Sequence, residues 1–270
     1  MKYIYSILFV FIIYQNAYSQ DKVLEIGEEL KYRVYFGFIK LGEVKFKLTS
    51  FYKEGKKEYY NASAQIKSFE GIPFVDVNFV FESVMEVTGS DEEENREVFS
   101  NKFYSTEFKD KSITRIEYDF NYEDSIIQVS KETDGNIENF EKVPIEDNTH
   151  FQDGLSIFYN ARLHSFSNKN YNIPVYINEK ASSVKYSFNI NEDVVSVDAD
   201  KIDYDVSVVK IAGVADFIGV FGLTGEFVSW LSNDEARVPV KAQFNVKIGS
   251  ISLELYSYKK KSWNPPPFEK

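Results

Sequence analysis

Apolar and polar residues alternate along most of the chain, and the alternation divides it into short strands. Leu30, Tyr32, Val34, Phe36 and Phe38 share one side, with Glu29, Lys31 and Arg33 between them. After a break near Gly42, Val44, Phe46 and Leu48 alternate with Glu43, Lys45 and Lys47, which predicts a hairpin. Val75, Val77, Phe79 and Phe81 repeat the pattern opposite Asp76, Asn78 and Val80. Further strands are predicted over 59–67, 96–108, 113–122 and 125–131, the last joined to 137–143 across Asp134-Gly135, a two-residue hairpin signal. Strands are also expected over 171–178, 183–191 and 204–211. In the last hairpin Val240, Ala242, Phe244, Val246 and Ile248 face inward, Gly249-Ser250 turns the chain, and Ile251, Leu253 and Leu255 return.

One segment has the helical period instead. Between 148 and 166, Phe151, Leu155, Phe158, Tyr159 and Arg162 fall at i, i+4, i+7, i+8 and i+11, with Asn148, Thr149 or Asp153 available as a cap. About eight strands precede this helix and five follow it. The expected fold is mainly all-β: a large curved antiparallel sheet or half-barrel with one mid-chain helix, one face buried and one wet. No period of about 20–50 residues recurs, so a propeller or solenoid is not expected. Residues 20–262 read as one β-rich domain, or as two lobes sharing a sheet and divided near 148–168. The acidic run 90–94 reads as a solvated loop. Residues 263–270 form a Pro-rich tail, whose Pro265-Pro266-Pro267 cannot continue a helix or a ladder.

The first twenty residues, MKYIYSILFVFIIYQNAYSQ, change the setting. Lys2, an apolar run too short to span a bilayer, and small residues at Ala17 and Ser19 read as a cleaved export signal over 1–19. The expectation is an exported protein, in the periplasm of a Gram-negative cell or otherwise secreted, with no transmembrane segment after cleavage. There is no cysteine, hence no disulfide and no thiol that could carry lipid. A chain of this size can hold itself by its core alone.

The full chain has 31 Lys and Arg against 42 Asp and Glu, a net charge of −11. Without Lys2 the count is 30 against 42, or −12. That balance argues against nucleic acid, whose affinity comes largely from Lys and Arg on phosphates. Aromatic residues make up 17% of the chain. They follow the strand alternation, so β-propensity accounts for them, with a ring-lined groove as the sharper alternative.

Catalytic apparatus is scarce. His150 and His164 stand fourteen residues apart, roughly 21 Å along a helix axis, and read as helix-end or surface residues. Thiol chemistry, a nucleophile elbow, a phosphate loop and a dinucleotide fingerprint all lack their residues. Asp198 to Asp205, DADKIDYD, offers four carboxylates to calcium, yet Ile202 and Asp203 stand where an EF-hand needs an oxygen ligand and glycine. Asp234 and Glu235 in WLSNDEARVPV could form a carboxylate pair, but ordinary turn chemistry at Asn233-Asp234 makes them a hairpin turn. No catalytic residue, metal or cofactor is expected. The stretch 211–225, IAGVADFIGVFGLTG, fits the strand period poorly. It reads as a short buried helix, a flap hinged at Gly213, Gly219, Gly222 and Gly225 over an apolar pocket, or an exposed apolar loop. Phe217 and Phe221 are its candidate ligand contacts.

Three stretches in order, GEELKYRVYFGFIKLGEVKFKL, FQDGLSIFYNARL and GEFVSWLSNDEARVPVKAQFNVKIGSISLEL, resemble the domain of unknown function family 3108 of exported envelope proteins. Trp230, Leu231, Ser232, Asp234, Arg237, Pro239, Val240, Gly249 and Leu255 carry the third stretch. The resemblance implies a curved antiparallel sheet and supplies no activity to transfer. By fold analogy alone it is similar to periplasmic lipoprotein carriers, whose half-barrels hold acyl chains against a helix. Tyr159, Arg162, Trp230, Asp234 and Arg237 are therefore candidate ligand-binding or family-pattern residues. Structurally, Arg162 or Arg237 would pair with an acid and pin the helix to the sheet. The expected function is non-enzymatic binding of a lipid or other apolar envelope molecule on the concave face. The alternatives are a carboxylate-dependent hydrolase or lyase acting on envelope glycan, and a scaffold.

Overall fold

The computed structural model describes residues 22–269 except 74, 90–94, 200–201, 247–248 and 262. The segment 1–19, the acidic run 90–94 and Ile248 lie outside the described residues. Eight strands come first: β1 (Glu29–Phe36), β2 (Ile39–Glu54), β3 (Lys57–Ser68), β4 (Asn78–Thr88), β5 (Glu97–Lys109), β6 (Ser112–Asn121), β7 (Ile126–Thr133) and β8 (Asn136–Pro144). Helix α1 (Ser156–His164) follows. Six strands complete the chain: β9 (Asn170–Ile177), β10 (Lys180–Val195), β11 (Val206–Ala215), β12 (Gly225–Ser232), β13 (Pro239–Asn245) and β14 (Ser250–Lys259).

All fourteen belong to one sheet in the order β8-β7-β6-β5-β4-β3-β2-β1-β14-β13-β12-β11-β10-β9. Two meanders are thus joined where β1 pairs antiparallel with β14. The sheet is not closed, because β8 and β9 are its edges. It is strongly curled: Tyr118 of β6 and Tyr176 of β9, near opposite ends of the strand order, meet edge to face at 5.1 Å. The Glu179 N–H, in the β9–β10 turn, donates to the Tyr118 hydroxyl at 3.1 Å. Edge position also explains Pro174. Its missing N–H would face outward from β9, where only its carbonyl is used, by the Gln152 N–H at 2.9 Å.

The segment before α1 differs from expectation. Helical periodicity began at 148, but 151–153 is extended. Gln152 forms a parallel bridge with Val175 of β9, and the Ser100 N–H donates to the Phe151 carbonyl at 2.9 Å. The helix is consequently nine residues long, with Phe151 outside it. Asp153 organises its start. One carboxylate oxygen accepts the N–H groups of Leu155 (2.6 Å) and Ser156 (2.8 Å), and the other accepts Ser83 and Ser100 hydroxyls, both at 2.6 Å. These bonds tie the helix N-terminus to β4 and β5.

Antiparallel neighbours place successive turns at alternate ends of the sheet. One end carries α1, the β12–β13 turn and the chain leading into β1; we term it the closed end. The other, open end carries the β1–β2, β3–β4, β5–β6, β9–β10 and β11–β12 connections. The Pro-rich tail is not free. Trp263 is buried and Val206 bridges Pro267. Pro266 contributes only its carbonyl, to Ser207 N–H at 2.9 Å, and the Phe268 N–H, not a proline nitrogen, reaches Asp205 at 2.8 Å. A single bridge is compatible with three prolines where a regular ladder is not.

Candidate functional site

The concave side of the sheet, roofed in part by α1, encloses an open cavity of ≈ 710 Å³. Strand alternation puts Phe46, Phe79, Phe81 and Phe103 on its wall, and α1 adds Ile157, Phe158 and Ala161. Phe158 stacks on Phe46, ring centroids 4.2 Å apart and planes 5° from parallel, which fixes the helix against β2. The lining is predominantly apolar. Its few polar side chains include Ser105, Glu107, Asn178 and Glu179, from the open-end halves of β5 and the β9–β10 turn. The volume lies within the roughly 300–1,000 Å³ usual for small-molecule sites.

The glycine-rich stretch forms one wall of the mouth. It is neither a buried helix nor an all-round loop. Residues to Ala215 complete β11, and 216–224 connects to β12 with a single 3-10 turn at Val220–Gly222. Phe217, Ile218, Val220, Phe221 and Leu223 line the cavity. Asn178 holds this loop by donating to the Ile218 carbonyl at 2.8 Å, and Ser183 holds Asp216 at 3.0 Å. Phe221 sits at φ 58°, a left-handed conformation costly for an aromatic residue. Gly213 is not a hinge. It lies within β11, where a Cβ would fall 2.3 Å from the Lys185 carbonyl oxygen and 2.8 Å from Phe227 and Tyr186 side-chain carbons. A glycine is required there by packing.

The closed end is sealed by charge. Arg162, fully buried, makes a bidentate pair with Glu28 at 2.7 and 2.9 Å and donates to the carbonyls of Arg237 (3.1 Å) and Ala236 (3.0 Å). Lys260 reaches the same Glu28 at 2.8 Å and Glu25 at 3.2 Å. Burial pushes the Glu28 carboxyl upward, but the charges and hydrogen bonds of Arg162 and Lys260 outweigh it and hold it below the usual range. The helix is therefore pinned to both the start of β1 and the β12–β13 turn. Asp234 shapes that turn by accepting Ser232 Oγ (2.8 Å) and the N–H groups of Ala236 and Arg237 (3.0 and 3.2 Å). Its other oxygen accepts the Trp263 indole N–H at 2.7 Å, latching the tail.

The seven candidate residues thus separate. Phe217 and Phe221 reach the cavity, and Arg162 forms part of its floor. Tyr159 is fully buried on α1, its hydroxyl unpartnered among the described residues, and burial raises its pKa well above the phenol's usual value. Arg237 is buried in the turn, its guanidinium 4.9 Å from the Phe166 ring centre. Asp234 is a turn residue. Trp230 lies away from the cavity, beside a shallow groove that it shares with Lys210, 5.9 Å from its ring. The residues missed were Glu28 and Lys260, and the phenylalanines of the wall. Alternation places Phe46, Phe79 and Phe81 inward, but only curvature turns that side into a cavity.

His164 is buried, not on the surface. Its ring lies between the Tyr186 hydroxyl and a Glu97 carboxylate oxygen, both at 2.8 Å, and stacks on Tyr171 at 3.9 Å. The hydrogen bond from His164 is the main influence holding Glu97 below the usual carboxylate range. Asp153 is the carboxyl pushed upward among the described residues; burial exceeds the effect of its four hydrogen bonds, and it lies outside the cavity lining. Those bonds occupy both its oxygens in holding the fold. No group of three or more His, Asp or Glu placed to hold a metal occurs among the described residues. Nor, among them, is any helix long and apolar enough to cross a membrane.

One solved structure gives the architecture a precedent. A β-barrel-like protein of domain of unknown function DUF1849 from Brucella abortus is similar over 89% of this chain and 100% of that one, with 12% identity and a TM-score of 0.50. A protein with a YmcC-like fold from Bacteroides fragilis aligns over 87% of this chain and 97% of its own, at 9% identity and a TM-score of 0.34. No curated protein matches the sequence. The family model described as "Protein of unknown function (DUF3108)" matches residues 31–256. That span runs from within β1 into β14, the sheet without the outer ends of those two strands and with its helix, and the chain belongs to the DUF3108 family.

Proposed function

We propose that the protein is a non-enzymatic carrier that holds an apolar or amphipathic envelope molecule, of lipid type, in the cavity on its concave face. The observation that carries this reading is the cavity itself: ≈ 710 Å³, walled by phenylalanines and aliphatic side chains, with Ser105, Glu107, Asn178 and Glu179 toward its open end and Arg162 in its floor. An apolar chain would occupy the interior, where each buried methylene contributes about 0.8 kcal/mol, and a polar headgroup would remain near Glu107, Asn178 and Glu179. Loop 216–224 supplies a side of the mouth that can yield, since two of its positions, Gly219 and Gly222, lack side chains. Titration with a fluorescent fatty-acid analogue tests the reading. Ala242 lines the cavity and is only partly buried, so Ala242→Trp projects into open space and is expected to weaken uptake at least tenfold while leaving the fold intact. Equal uptake by both proteins, or none by the unmodified one, would remove the proposal.

A further inference from the structure

Exposed apolar side chains stand at the open end of the sheet. Alternation counted Phe38 with the inward face of the first strand, yet β1 ends at Phe36 and Phe38 stands in the turn at 93% exposure. Ile218 is 63% exposed in loop 216–224. Phe108 and Ile113, register partners at the β5–β6 turn, are both exposed, as is Phe69 after β3. Phe38, Phe69 and Ile218 lie in three connections, and Phe108 and Ile113 on the strand ends beside a fourth turn; antiparallel pairing places all four turns at the open end. Nothing in the fold requires large apolar side chains at turn tips, where solvation of polar residues is the rule.

We propose that the open end of the sheet docks on a lipid bilayer, with Phe38, Phe69, Phe108, Ile113 and Ile218 entering its interfacial region. Three features favour a bilayer over a protein partner. First, the tips sit at four separate turns with polar residues between them; a fluid apolar phase receives scattered tips, whereas a protein would need one contiguous complementary patch. Second, exposed Lys40, Lys109 and Lys111 flank the tips, able to lay their stems on the apolar phase and keep their charge in water. Exposed Glu70, Asp110 and Asp216 share that end, so it carries no single sign. Attachment therefore depends on insertion and not on anionic lipid. Third, the same end holds the mouth of the cavity. A docked mouth lets an apolar molecule pass between two apolar phases without entering water, where each methylene costs roughly a fourfold factor in equilibrium constant. This third feature rests on the carrier reading; the first two do not.

The test is flotation of the full chain with phosphatidylcholine vesicles, with and without phosphatidylglycerol, at low and high salt. Flotation with both vesicles and little loss in salt is expected. Phe38→Asp and Ile218→Asp change exposed positions and are expected to cut partition at least about tenfold. Ile26→Asp and Tyr52→Asp, exposed at the closed end, are expected to leave it unchanged. No flotation, flotation equal in all variants, or flotation that requires phosphatidylglycerol and vanishes in salt would each overturn the proposal. Uptake of the fatty-acid analogue from solution, measured in parallel, separates the two ideas. A protein that floats but takes up no analogue retains docking and loses the carrier reading; one that takes up analogue but does not float does the reverse.

Discussion

Arg162→Met removes the charge that seals the closed end of the sheet while keeping an unbranched apolar stem. The side chain it replaces is 0% exposed and its partner Glu28 1% exposed, so solvent does little to screen the pair. Four hydrogen bonds are lost, two to Glu28 and two to the β12–β13 turn carbonyls. Removing one partner of a buried pair costs about 3–5 kcal/mol. Because Lys260 still holds Glu28, the lower part of that range is expected, a fall in Tm of roughly 6–12 °C at about 2–4 °C per kcal/mol. Urea unfolding followed by circular dichroism measures it, with an unchanged m-value as the control for an intact native state. Adding Glu28→Gln to Arg162→Met is expected to cost less than the sum of the two single changes, because both remove the same buried pair. The pH dependence has a definite sign. Glu28 is held below its ordinary value of 4.5, so its native contribution is fully present above that pH and is lost as pH falls through the lower native value. The gap between unmodified protein and Arg162→Met should be widest near neutrality and narrow below about 4.5. A gap under about 1 kcal/mol at pH 7, or one that grows with acid, would refute the argument that this pair pins the helix.

Three further outcomes are expected. Gly213→Ala drives a Cβ into the Lys185 carbonyl and should cost about 1–3 kcal/mol by overpacking, read as a lower urea midpoint; an unchanged midpoint would show that β10 and β11 separate freely. Asp153 has a raised native pKa, so its ionisation destabilises the fold as pH rises from 3.8 through that raised value; Asp153→Asn should flatten this part of the stability–pH curve, and an unaltered slope would contradict it. Asp234→Ala loses the Trp263 contact and three turn bonds, about 1–3 kcal/mol together, and should release the tail to proteolysis near 263–269; equal resistance would show that the latch is elsewhere.

Much of the sheet was legible in the sequence because alternation is a local signal: the hairpins around β1–β2, β7–β8 and β13–β14 follow from it directly. The helix was legible in type but not in length, since the Phe151–Gln152 pairing with β5 and β9 is a long-range contact that overrides helical spacing. The apolar stretch 211–225 resisted reading because it joins a strand end to a loop whose rings face a cavity, and neither period applies across the join. Glu28 and Arg162 stand 134 residues apart. No spacing rule could connect them: helical spacing put Arg162 on the inner face of the helix and the family resemblance made it a candidate, but neither pointed to Glu28 as its partner. The cavity wall was half visible: inward-facing phenylalanines were evident, but a flat sheet would have offered them only a face.

The most direct test of the carrier account is native mass spectrometry of the protein purified without detergent, followed by organic extraction. The account predicts a bound mass that extracts as lipid and is depleted in Ala242→Trp. Ligand-free protein whose mass stays unchanged after acyl chains are added would contradict it.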